Sequence, residues 1–184
     1  ATPAGRIAYG PVTVDDVPAL LTAIKGDGKH KLHLGDIEQH PYLKNQERLT
    51  FARCGITDPV SVADYVKHGG FEGLKKALGL AGSAIVAEVT ESGLRGRGGA
   101  GFPTGIKWKT VLDASADQKY VCCNADEGDS GTFADRMVME GDPLMLIEGM
   151  TIAGIATGAT RGYVYIRSEY PDAMITSAGR GKYP

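Results

Sequence analysis

The chain has 184 residues, 26 of them glycine, and a formal net charge of -2. That length suffices for a real core and fits one domain with an extension, while the near-neutral charge argues against a nucleic-acid surface, where a strongly basic balance is expected. No apolar run approaches the roughly 20 residues of a membrane span, and Ala1-Thr-Pro-Ala-Gly-Arg6 has no charged region followed by an apolar one, so a soluble, cytoplasmic chain is expected.

Residues 1–60 read as an irregular arm and linker, rich in Gly, Lys, His and Pro, with one helical pattern from Val14 to Ile24 begun by Asp15-Asp16. His30, His33 and His40 lie in this arm with Asp36 and Glu38 between them. No second tight ligand pair completes a metal site there, so they read as exposed polar residues. Residues 61–184 read as the second domain. It opens with three short helices, Val62 to Lys67, Phe71 to Leu78 and Ser83 to Glu91, with Ser61 and Ser83 as entry signals and Gly69-Gly70, Gly79 and Gly82 as punctuation.

The next segment, Gly93-Leu-Arg-Gly-Arg-Gly-Gly-Ala-Gly-Phe-Pro-Thr-Gly-Ile-Lys-Trp108, packs six glycines, two arginines and a lysine into sixteen residues. Each glycine surrenders the most backbone entropy on ordering. The usual gain is close approach of bare N–H groups to an anion. A short helix from Gly105 to Leu112 follows, then a strand over Gln118 to Asn124. Its core, Tyr120 to Cys123, is apolar without alternation and predicts a strand buried on both faces. A polar loop, Asn124 to Gly131, a helix from Phe133 to Glu140, a long helix opened by Pro143 and running to Thr157, and a strand from Gly162 to Arg167 complete an α/β layer with a parallel crossover.

Cys54, Cys122 and Cys123 are an odd count, and the adjacent pair faces opposite ways on a strand, so no disulfide framework is expected. Without C-x-x-C there is no ordinary iron–sulfur or zinc cradle. Gly96-Arg-Gly-Gly-Ala-Gly101 fits G-x-G-x-x-G, yet that fingerprint needs a preceding strand, and Ile85 to Ser92 reads as helix. A P-loop fails because Gly105 and Lys107 are not adjacent and no Ser or Thr follows the lysine. Ser130 is no serine-hydrolase nucleophile: the motif misses its last glycine and no histidine follows. What remains is a loop in which Arg95, Arg97 and Lys107 suit an anionic planar cofactor, with Phe102 as a flat apolar face. Asn124-Ala-Asp-Glu127 stands at the carboxyl end of a strand, where open α/β sheets bind ligands.

Taken together, the glycine segment, Cys123-Asn-Ala-Asp-Glu127, Gly131-Thr-Phe-Ala-Asp-Arg136, Leu146-Ile-Glu-Gly-Met150 and Gly162-Tyr-Val-Tyr-Ile-Arg167 resemble, in this order, the motifs of the NADH-oxidising flavoproteins. That family includes the 51 kDa subunit of complex I, the diaphorase subunit of NAD-reducing hydrogenases and the beta subunit of molybdenum formate dehydrogenases. The resemblance covers roughly Cys54 to Tyr170. Gly128 to Met137 and Gly141 to Gly158 look most like the formate dehydrogenase branch.

The resemblance implies an atypical Rossmann-like domain that holds FMN and exchanges a hydride with NAD(H). Chemistry rests on the cofactor, with no catalytic side chain. Gly96, Arg97, Gly98, Gly99, Lys107, Asn124, Asp126, Glu127 and Gly128 would hold the flavin, Lys107 and Glu127 tuning it. Phe102, Glu127 and Asp129 would meet NADH, and the Asp129 carboxylate would repel the 2′-phosphate of NADPH. Iron–sulfur clusters are expected outside this chain's motifs. Expected partners are a thioredoxin-like [2Fe-2S] subunit and a molybdenum-containing formate-oxidising subunit. The family continues past the Tyr170 region with a second flavin-contacting motif, a ubiquitin-like domain and a cluster-binding bundle. Those are absent here, so half of the flavin site is expected from elsewhere, or the chain serves only for docking.

Overall fold

A computed structural model describes residues 6–129 and 131–177, which form two compact units meeting between Leu49 and Thr50. The residues just past this division belong to the second unit. Arg53 Nε sits 2.8 Å from the Asp142 carboxylate, and a Cβ placed on Gly141 would lie 3.0 Å from Cys54 Sγ, so residues beyond Thr50 pack into the second unit.

The first unit has more order than an irregular arm. Strand β1 (Ile7–Tyr9) pairs antiparallel with β2 (His33–Asp36), placing Ile7 opposite Asp36 and Ala8 opposite Gly35. Between them, a turn of 3-10 helix leads into α1 (Val17–Lys25), and the Thr13 amide donates to the Asp16 carboxylate at 3.1 Å. The Tyr9 hydroxyl donates to the Gly28 carbonyl at 2.8 Å, which ties the connection back to β1. Among the described residues, no group of three or more His, Cys, Asp or Glu is placed to hold a metal ion.

The second unit begins with α2 (Val62–Lys67), α3 (Glu72–Leu78), α4 (Gly82–Glu91) and α5 (Thr104–Asp113). Ser61 caps α2, its hydroxyl accepting from the Asp64 amide at 3.2 Å. After α5 come β3 (Tyr120–Ala125), α6 (Ala134–Gly141), α7 (Pro143–Thr157), β4 (Arg161–Ile166) and α8 (Pro171–Ser177). Helix α7 is apolar around its whole circumference, the pattern of a helix packed on several sides. It touches α3, α4, α5, α6, α8 and both strands. One core cluster joins Ala77, Ile85, Val86 and Ala156, with Trp108, Leu112 and Ile152 packed against it. A second joins Ala125, Met139, Tyr170 and Ala173.

Strands β3 and β4 pair in parallel, Asn124 beside Tyr165, with α6 and α7 as the crossover. The expectation that β3 is buried on both faces is not met. Tyr120, Cys122 and Asn124 are exposed while Val121, Cys123 and Ala125 turn inward, because the helices cover one face of this two-stranded sheet. Apolar residues on alternate positions therefore divide between helix packing and an open face. Among the described residues, no helix is long and apolar enough to cross a membrane.

Candidate functional site

The glycine segment folds back on itself between α4 and α5. Arg95 and Pro103 form an antiparallel bridge, the Gly96 amide donates to the Phe102 carbonyl at 2.9 Å, and the Thr104 amide donates to Leu94 at 2.9 Å. Arg95 Nη1 holds the Gly101 carbonyl at 2.9 Å, which braces the loop from inside. Gly99 and Gly101 take φ of 109° and 59°, backbone that a side chain adopts only at a cost. Among the described residues, the N–H groups from Arg97 to Gly101 make no hydrogen bond, and the Arg97 and Lys107 side chains have no partner. Phe102 is 49% exposed at the mouth of this turn.

What anchors the loop is the packing of α5. A Cβ on Gly105 would fall 2.2 Å from Thr90 Oγ1 and 2.6 Å from Thr90 Cα, so α5 crosses α4 only with glycine there. Trp108 belongs to the core cluster and fastens the helix from the other side. Of the residues in this segment, Gly105 and Trp108 thus serve packing, whereas Gly96, Arg97, Gly98, Gly99 and Lys107 are exposed.

At the carboxyl end of β3 the strand alternation continues into the turn. Asn124, Asp126, Gly128 and Asp129 are exposed, and the Asn124 side chain accepts from the Asp126 amide at 3.1 Å. Glu127 is only 7% exposed and its carboxylate is turned inward. It accepts from the amides of Ala134 at 2.6 Å, Asp135 at 3.2 Å and Arg136 at 3.4 Å, and from the Tyr170 hydroxyl at 3.1 Å. Burial pushes its pKa up, but these four donors outweigh burial and hold it below the ordinary glutamate range. Burial and the Glu127 charge raise Asp135, and burial followed by Asp135 raises the Cys123 thiol. Glu127 therefore caps α6, which has no side-chain cap from its own Phe133. Ser130 lies outside the described residues.

Sequence reasoning missed the residues that hold this turn. Arg167, just after β4, donates to the Glu127 carbonyl and pairs with Glu169 at 3.2 Å. Tyr170 joins Glu127 to the second core cluster. Tyr165, 68% exposed, stands beside Asn124 in the ladder. The signal for Arg167 was its position at a strand's carboxyl end, level with the acidic turn in a parallel pair.

The donor set of the loop fits an anionic, phosphorylated cofactor: among the described residues, bare consecutive N–H groups and two unpaired cations, while the turn at the carboxyl end of β3 offers amide and carboxylate groups. Residues 89–178 match the family model described as the Nuo51 FMN-binding domain, which assigns FMN to the matched domain. The chain is 56% identical over 131 residues to a component of the NADP-reducing hydrogenase of Solidesulfovibrio fructosivorans, covering 71% of this chain and 26% of that protein. It is 52% identical over 129 residues to a component of the NADH-quinone oxidoreductase of Rhizobium meliloti, covering 70% and 31%. For the corresponding NADH-quinone oxidoreductase component of Escherichia coli the identity is 47% over 140 residues, covering 75% and 30%. The crystal structure of an air-oxidised NAD+-reducing nickel–iron hydrogenase superposes with a TM-score of 0.57 at 28% identity, over 92% of this chain and 28% of that one. The chain thus spans 26% to 31% of the length of these curated relatives.

Proposed function

From residues 89–178, a segment of the complex I 51 kDa flavoprotein family, we propose that this chain holds FMN on its glycine loop and presents it to NADH within a multisubunit oxidoreductase. The observation that carries the reading is that, among the described residues, the N–H groups from Arg97 to Gly101 and the Arg97 and Lys107 cations are all without a partner. What the group supplies when bound is exchange of a hydride with NAD(H) and of single electrons with iron–sulfur clusters.

The residues divide the remaining work. Gly96, Gly98 and Gly99 let the backbone come close, Arg97 and Lys107 supply positive charge, and Asn124 with Asp126 offers hydrogen-bond partners to ring or sugar groups. Phe102 gives an apolar face to the nicotinamide nucleotide. Asp129 excludes the 2′-phosphate of NADPH by charge. The Glu127 carboxylate is committed to α6, so its part in the site runs through its peptide and not through its charge. The topology supports one site. Lys119 Nζ bonds the carbonyls of Leu112 at 2.9 Å and Thr157 at 3.2 Å, gathering the ends of α5 and α7 at the amino end of β3. The glycine loop and the Asn124 turn lie at the other ends of α5 and β3.

The finer assignment we favour is the beta subunit of an NAD-dependent formate dehydrogenase, on the runs Gly128 to Met137 and Gly141 to Gly158. Its partners would be a thioredoxin-like [2Fe-2S] subunit and a molybdenum subunit that oxidises formate, in the cytoplasm. Metal analysis of the complex that co-purifies with this chain tests it: molybdenum supports formate dehydrogenase, nickel supports a hydrogenase. A yellow preparation bleached by NADH supports the flavoprotein reading. A preparation that stays colourless with added FMN favours a docking role instead.

A further inference from the structure

The tip of the glycine loop, Arg97-Gly-Gly-Ala-Gly101, has little side chain to pack and much backbone freedom to lose on ordering. The rungs that close the loop lie at its base, where Arg95 bridges Pro103, the Gly96 amide meets the Phe102 carbonyl and the Thr104 amide meets Leu94. Among the described residues, the one hydrogen bond that reaches the tip runs from Arg95 Nη1 to the Gly101 carbonyl at 2.9 Å. The Arg95 guanidinium makes no other hydrogen bond among the described residues, and Arg95 is exposed and belongs to neither core cluster. By composition Arg95 goes with Arg97 and Lys107 as a cation for an anionic cofactor. The fold separates them: Arg97 and Lys107 stand exposed without a partner among the described residues, whereas Arg95 turns back onto its own loop.

We propose that Arg95 is a positioning residue: it latches the base of the glycine loop to its tip and so holds the loop in its binding shape before the cofactor arrives. The inference rests on the FMN reading above. With the latch made, the loop meets its ligand already ordered, and the entropy of fixing these residues does not fall on binding. Gly101, at φ 59°, is kept in the left-handed turn that brings the chain back toward α5. Without the latch the base rungs remain, the tip samples many shapes, and apparent affinity is reduced to the fraction of chains in the competent one. Lysine at this position keeps one donor for one carbonyl, which is what the arginine supplies here.

The test follows nitrogen-15 relaxation in the full chain carrying nitrogen-15 glycine, first without ligand and then with FMN. In the ligand-free parent, Gly98, Gly99 and Gly101 are expected to be as rigid as Gly105 in α5. In Arg95→Ala those three become mobile on the nanosecond timescale while Gly105 does not, FMN affinity falls about tenfold, and the urea midpoint stays at the parent's. Arg95→Lys restores the order and brings affinity to within about threefold of the parent. Should Arg95→Ala fail to fold, Arg95→Met, which keeps the apolar stem and removes every donor, carries the same comparison. A parent loop already mobile without ligand overturns the proposal. So does a ligand-free Arg95→Ala loop as rigid as the parent's, since any loss of affinity in that chain then comes from the missing charge. A mobile Arg95→Ala loop that binds FMN as tightly as the parent's overturns it as well. If the parent binds no FMN while its loop is ordered and that of Arg95→Ala is not, the flavin reading fails and the latch stands.

Discussion

The Tyr65 hydroxyl donates to the Glu148 carboxylate at 2.5 Å, joining residues 83 positions apart. The same carboxylate accepts from the Phe71 amide at 2.8 Å and the Leu74 amide at 2.9 Å, so Glu148 on α7 caps α3. Glu127 and Tyr170 repeat the arrangement at α6. In both places the residue before the helix is a phenylalanine in the left-handed region, Phe71 at φ 63° and Phe133 at φ 53°, and neither supplies a cap. A remote glutamate satisfies the orphan amides instead, placed where the helix dipole favours negative charge.

Glu148→Ala leaves two amides and a tyrosine hydroxyl without their acceptor, and it is expected to destabilise the chain by about 3 kcal/mol. Glu148→Gln keeps an acceptor and costs less. Urea unfolding followed by circular dichroism measures both; equal stability of Glu148→Ala and parent contradicts the capping role.

Stability against acid follows from the same carboxylates. Burial pushes both up, but hydrogen bonds from the Tyr170 and Tyr65 hydroxyls and from backbone amides hold Glu127 and Glu148 below the ordinary range. A folded-state pKa below the unfolded one gives stability that is complete above the unfolded value, about 4.3, and is lost as pH falls through the folded value. The melting temperature is expected to hold steady down to roughly pH 5 and to drop below it. Glu148→Gln should flatten part of that drop, and an unchanged acid profile in this variant removes Glu148 as a contributor.

Gly105→Ala drives a methyl group into Thr90, backbone included, and a cost of about 1–3 kcal/mol is expected. Thr90→Ala in the same chain relieves only the side-chain part. Because α5 carries Lys107 and ends the glycine loop, the single variant should also bind FMN more weakly, by fluorescence quenching. A Gly105→Ala chain as stable as the parent contradicts the close crossing of α4 and α5.

Lys107 and Asp129 are expected to act on ligands and not on the fold, since both are exposed and neither contributes a side-chain contact to a core cluster. Lys107→Ala should weaken FMN binding about tenfold, as the loss of one charge-assisted contact, with the same unfolding midpoint. Asp129→Asn should narrow the preference for NADH over NADPH in steady-state rates. Unchanged selectivity removes Asp129 from the nucleotide site.

Helices with strong local signals were legible in the sequence. Val62–Lys67 and Pro143–Thr157 follow from Ser61 and Pro143 at their starts, and the parallel pair follows from strand, helix, helix, strand order. Burial of β3 was not legible, because Tyr120-Val-Cys-Cys123 is apolar at every position and only the absent cover on one face separates outward from inward residues. The β1 and β2 pair escaped because both strands are short and carry no alternating run. In the candidate site, the exposure of Arg97, Lys107, Asn124 and Asp126 agrees with what composition and spacing suggest for a glycine loop and a polar turn. The inward direction of the Glu127 carboxylate was not legible, because it depends on Phe133 leaving α6 uncapped.

A crystal structure of the full chain soaked with FMN tests the central claim most directly. The flavin is expected against the backbone from Arg97 to Gly101, with Arg97 and Lys107 toward its charged or polar groups and Asn124 and Asp126 within hydrogen-bond reach. Flavin density elsewhere, for instance in the apolar groove of about 580 Å³ between Met150, Ile155 and Val164, with the glycine loop empty, would contradict it.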